Sequence, residues 1–187
     1  YIKKINELIF YKCEFSDRFE VLECKDIDLL SLRNSVFEDI VNRNEIKVKI
    51  QFCDIKVAIF YNTKFGDLAD FYQTKFITKV NFERTDFKKI SVFSEAEFYC
   101  DLDFKYTKFL GKVIFRDTII ASKLNLRDTI FDDDANFLDI TSKSRYNKKL
   151  KKFMGDPSDI NVKNRETARI IKNFYDRSNN IIEANRF

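Results

Sequence analysis

The 187-residue chain has no histidine and no tryptophan, one proline and three glycines. Lacking histidine, it loses the commonest general base and every His-dependent catalytic triad. Its four cysteines, Cys13, Cys24, Cys53 and Cys100, form no C-x-x-C pair, which speaks against zinc. A chain this long needs no disulfide framework, so the thiols read as reduced packing residues in a cytoplasmic protein. No Gly-rich phosphate loop or nucleophile elbow is present, and Asp132, Asp133 and Asp134 lack the glycine and terminal glutamate of a calcium loop. Catalysis, a cofactor and a metal site are therefore not expected. No run of about 18 apolar residues exists, and no basic-then-apolar leader. The chain runs from Tyr1 to Phe187, inside an expected helix, which also fits the soluble part of a longer, membrane-attached protein.

Phenylalanine is abundant instead, with 21 residues. Large apolar residues fall at Phe60, Phe65, Phe71, Phe76, Phe82, Phe87, Phe93, Phe98, Phe104, Phe109, Phe115, Ile120, Leu126, Phe131 and Phe137, with spacings alternating between five and six. Two residues before each lies a second inward column, Ala, Val, Ser or Leu on one series and mostly Thr on the other, as at Ala69 and Thr74. Charged and polar residues fill most of the rest. An eleven-residue period also suits a right-handed coiled coil. On a helix at about 100° per residue, however, a step of five turns the next ring by roughly 140°, and no apolar seam forms. Short apolar-x-apolar strands joined by tight corners, stacked in parallel about 4.8 Å apart, turn every ring inward and satisfy the backbone. The fold expected is an all-β solenoid with a phenylalanine core.

The triplets Ala58-Ile59-Phe60, Ala69-Asp70-Phe71 and Ala135-Asn136-Phe137 resemble the unit of the pentapeptide-repeat family, here in a five-plus-six variant. The resemblance is strong over 58–141. It implies a right-handed quadrilateral parallel β-helix of four units per coil, about 22 residues per turn, with columns such as Phe60, Phe82, Phe104 and Leu126. Upstream, Leu8-x-Phe10, Cys13-x-Phe15, Phe19-x-Val21, Leu30-x-Leu32 and Ser35-x-Phe37 fit more loosely. Residues 38–47 do not fit, so a bulge, loop or short helix is expected before Val48-x-Ile50 and Cys53-x-Ile55 resume the pattern.

The expected organisation is a repeat domain over 1–142, a basic linker over 143–160 and a helical hairpin over 161–187. Ala168, Ile171 and Tyr175 are helically spaced, Ser178-Asn179-Asn180 breaks the run, and Ile181, Ile182 and Phe187 begin a second helix. An amphipathic helix across the last coil would cover exposed ladder ends, and the same hairpin could instead dock a partner. Residues 1–142 carry a net charge of −3 and 143–187 of +7. The densest cations, Lys143, Arg145, Lys148, Lys149, Lys151 and Lys152, are the candidate contacts for phosphates or a partner; without base-reading residues beside them, nucleic acid is not the expected ligand. The leading expectation is a non-enzymatic scaffold for a protein partner, with homodimerisation through a solenoid end or the C-terminal helices as a further partner type. The resemblance suggests an alternative, a DNA mimic binding a type II topoisomerase. A third class is membrane or nucleic-acid tethering through the basic tail or an absent segment.

Overall fold

The computed structural model describes residues 4–38, 46–147 and 152–187. The chain forms a parallel β-solenoid of about six coils, about 22 residues apart, with a small helical region at its C-terminal end. We number its four faces in the order the chain visits them. Face one holds the strands beginning at Ile5, Ile27, Asp54, Lys75, Glu97 and Ile119, and face two holds Leu102–Asp103, Lys123–Asn125 and Asn161–Val162. Face three runs from Glu14–Phe15 to Ile130–Phe131, and face four from Phe19–Leu22 to Ala135–Asn136. In the earlier coils a single strand, such as Lys75–Asn81, runs from face one into face two, with a bulge between Phe76 and Lys79.

The two-residue strands follow from the sequence unit: a small or β-branched residue and a phenylalanine point inward, and the residue between them points out. Parallel pairing in register puts Phe98 over Phe76 and Ile120 over Phe98. Rings one coil apart stack face to face, Phe76 and Phe98 at 4.9 Å and 7° between planes. Rings on opposite faces meet edge on across the interior, as Phe71 and Phe82 do at 5.5 Å and 78°. Both geometries suit the aromatic quadrupole. Of the fifteen residues in the repeat series, fourteen are fully buried and Phe131, near the end of the stack, is half-buried.

The threonine column has a hydrogen-bonding reason. Each five-residue step closes a turn in which the Thr N–H donates to the phenylalanine carbonyl three residues back, as Thr85 N to Phe82 O at 3.1 Å. The buried hydroxyl then donates to a carbonyl of the previous coil: Thr85 Oγ1 to Phe60 O and Thr107 Oγ1 to Phe82 O, both at 2.6 Å. Cys53 makes the equivalent bond in sulfur, Sγ to Val21 O at 3.3 Å, and burial pushes its thiol up to about 11. It is therefore a neutral packing group.

The same turns have a backbone cost. From Asn62 to Asp139 every eleventh residue has a φ of 50–60°, and none of these is glycine. Such a conformation costs an L-residue roughly 1–2 kcal/mol. The stacked coils hold it, since from Asn62 to Asp117 each such amide donates to the next coil, Arg84 N to Lys105 O at 3.1 Å for instance. The irregularity expected at 38–47 falls mostly on 39–45, outside the described residues; around it Ile46 is buried and Val21 pairs with Ile50, a gap of 29 residues instead of about 22.

Replacing mid-stack Phe98 by Ala should cost about 3–5 kcal/mol, measured by chemical denaturation, whereas exposed Lys89→Ala should cost less than about 0.5 kcal/mol. Ser91 is buried, its Oγ has no hydrogen-bond partner, and its in-register neighbours are Ala69 and Val113. Ser91→Ala should therefore stabilise the fold by up to about 1 kcal/mol, and a loss of stability in the same titration would show that the hydroxyl is paired.

Candidate functional site

The C-terminal elements leave the repeat at Ile140. Within the segment expected as a basic linker, Ser142–Asn147 and Lys152–Ser158 form an antiparallel hairpin, with Tyr146 opposite Phe153. Of the candidate basic contacts, Lys143, Arg145 and Lys152 lie on these strands, and Lys148, Lys149 and Lys151 lie outside the described residues. Asn161–Val162, expected in the helical segment, is instead a strand that extends face two by pairing with Lys123 and Leu124. Helix α1 (Arg165–Arg177) follows at once, and α2 (Ile181–Ala184) packs on it.

Helix α1 closes the last coil by supplying side-chain atoms where a further coil would supply backbone. Lower in the solenoid, Phe104 N and Tyr106 N donate to Asn125 O and Arg127 O of the coil above. At the top, Leu126 N donates to Thr167 Oγ1 at 2.8 Å and Asp128 N to Glu166 Oε1 at 2.9 Å. Asn164 caps the helix, its Oδ1 accepting from Thr167 N, and its amide donates to Asn125 Oδ1 at 2.7 Å. Tyr175, buried against Phe137, donates its hydroxyl to Phe137 O at 2.7 Å. The buried stripe of α1 is Thr167, Ile171 and Tyr175, with Ala168 only half-buried. Thr167 was missed in the sequence because a polar residue is not read as core; the signal was its place three residues after the capping Asn164. Ile181 and Ile182 begin the second helix as expected, at 66% and 76% exposure, and Ala184 is its buried residue.

Beside α1 opens a cleft of about 480 Å³, floored by Phe131, Phe137, Ile170 and Phe174 and edged by Lys112, Asp133, Asp134 and Arg177. The acidic corner at Asp132–Asp134 is solvent-exposed. Among the described residues no group of three or more Cys, Asp or Glu is gathered for a metal ion, and no helix is long and apolar enough to cross a membrane. Cys100, like Cys53, is pushed up to about 11 by burial, far from a reactive thiolate.

What the arrangement defines is a repeat solenoid with an aromatic interior, whose outward surface alone is available for chemistry. Residues 60–108 match the family model of pentapeptide repeats, in nine copies; this stretch is a pentapeptide-repeat coil. No curated protein and no solved structure matches the chain.

Burial pushes the Tyr175 hydroxyl up to about 12 from an ordinary value of 10. A raised pKa means that the unfolded chain loses this proton first, so the stability it carries is complete below pH 10 and falls between about pH 10 and 12. Alkaline titration followed at the tyrosinate absorbance should find a late step accompanied by loss of the α1 helical signal, distinct from that of Tyr72, which its hydrogen bond to Glu95 also raises but which lies away from α1. Tyr175→Phe should remove that step, and its persistence would assign it to another tyrosine.

Proposed function

We propose that the chain is a non-enzymatic interaction module that offers a rigid, elongated surface to a protein partner. The pentapeptide-repeat family supports an interaction module in general. The observation that carries the finer reading is an outward apolar group around the corner between faces three and four. Ile90, Leu110 and Ile130 are 47%, 39% and 46% exposed there, and Val92 lies in register beside Ile114 on face four. Exposed apolar side chains grouped on a rigid wall favour burial against another protein.

Topoisomerase binding by DNA mimicry receives less support. Such a surface needs carboxylates spread over a broad wall, whereas the outward residues of face three, from Glu14 through Val36, Lys64, Asp86 and Lys108 to Ile130, alternate in sign and character, and carboxylates follow one another only along the single corner between faces four and one. Opposite charges also neutralise each other between coils, as Lys75 and Glu97 do at 3.2 Å and Lys88 and Glu38 at 2.7 Å.

The test is affinity capture from native lysate with the full chain, side by side with Val92→Asp/Ile114→Asp. A stoichiometric protein retained by the first and lost by the folded variant supports the reading. Retention by both, or by neither, refutes this surface, and recovery of a type II topoisomerase would favour mimicry instead.

A further inference from the structure

The two five-residue corners, diagonally opposite across the solenoid, carry opposite charge. The corner between faces two and three is traced by a backbone ladder: Lys12 N to Arg33 O, Asn34 N to Tyr61 O, Asn62 N to Glu83 O, Arg84 N to Lys105 O and Tyr106 N to Arg127 O, at 3.0–3.2 Å. Along it Lys12, Arg33, Arg84, Lys105 and Arg127 face only two carboxylates, Glu83 and Asp128, a net charge of +3. The corner between faces four and one, traced in the same way from Glu23 N to Leu138 O, carries Glu23, Glu95, Asp117 and Asp139 against Arg116 alone, a net charge of −3.

The basic edge also carries aromatics. Tyr11 and Tyr106 are 55% and 40% exposed, and Tyr61 is half-buried between them. Arg84 and Lys105 both lie over the Tyr106 ring, at 5.4 and 4.6 Å from its centre. Two like charges gathered on one ring repel, and an anion between them would relieve that repulsion. Lys12, Arg33 and Lys105 have no carboxylate within 4.0 Å among the described residues. Lower on the same edge, Tyr11, Arg33, Tyr61 and Lys79 frame a groove of about 380 Å³ over Ile59, with no carboxylate in its lining.

We propose that this edge binds a single strand of nucleic acid, phosphates on the file of cations and bases on the tyrosines. Cations in single file, one on each coil except that of Tyr61 and Asn62, match one phosphate chain, not the two of a duplex. Rings interleaved with them supply stacking faces that any base can use. An acidic peptide would engage the same cations and leave the rings without purpose. This inference stands on the edge alone, independent of the apolar group proposed for a protein partner and of the basic hairpin.

The experiment is fluorescence anisotropy of a labelled oligothymidylate of about 12 nucleotides, titrated with the full chain at low salt. Saturable binding is expected, with log affinity against log salt falling at a slope of about −2 to −3.5, the value for three to five phosphates at roughly −0.7 each. Arg33→Glu/Lys105→Glu should weaken it at least tenfold, and Tyr61→Ala several-fold without altering the slope. Lys148→Ala/Lys149→Ala/Lys151→Ala/Lys152→Ala should leave it unchanged. Folding of each variant is checked by circular dichroism. Absence of binding, loss only in the lysine-tail variant, or equal competition by polyglutamate of matched charge would each overturn the proposal.

Discussion

Phenylalanine rings one coil apart lie face to face, with centroids 5.0, 5.1 and 5.2 Å apart through Phe71, Phe93, Phe115 and Phe137. Parallel strands hydrogen-bond at roughly 4.7–4.9 Å, so the ring stack and the backbone ladder ask for nearly the same rise and neither strains the other. Each further coil repeats the cross-section beneath it. The interior is filled by the rings, with threonine hydroxyls engaged on carbonyls of the previous coil. The stack fixes the mutual placement of the outward residues.

A stack of this kind has to be stopped. The last coil presents N–H groups that a further coil would accept, and unpaired ladder groups invite edge association. Here Thr167 and Glu166 stand in for the missing carbonyls, while Asn164 both caps α1 and continues the polar column through Asn125 to Asp103. The helix is thus held by the same groups that coil-to-coil pairing uses lower down. The cleft beside it exists because a single helix covers only part of a four-faced coil.

The phenylalanine spacing made the solenoid, its period and its inward columns legible, because the pattern reports burial directly and no helical arrangement of it gives a seam. The C-terminal helices were legible for the same reason. The hairpin at Ser142–Ser158 was not, since its strands are charged and carry no clean alternation. Thr167 was hidden because its role is to satisfy a backbone group 41 residues away. The corner charges were hidden by register. Lys12 and Arg33 nearly follow the repeat, but Arg33 and Tyr61 are brought together across the irregular stretch at 38–47, and the sequence does not say how many residues that stretch takes out of the coil.

That hidden register separates the two charged edges. With the aromatic core between them, the basic and acidic corners cannot approach each other within one molecule, so their charges remain available to partners instead of cancelling. Along the faces the opposite holds, because a charge meets a partner one coil away and is neutralised there. A flexible chain of the same composition would average these charges to a weak net +4. The stacked coils turn that weak net charge into two opposed linear surfaces, and recognition of a linear partner depends on this order more than on the amount of charge.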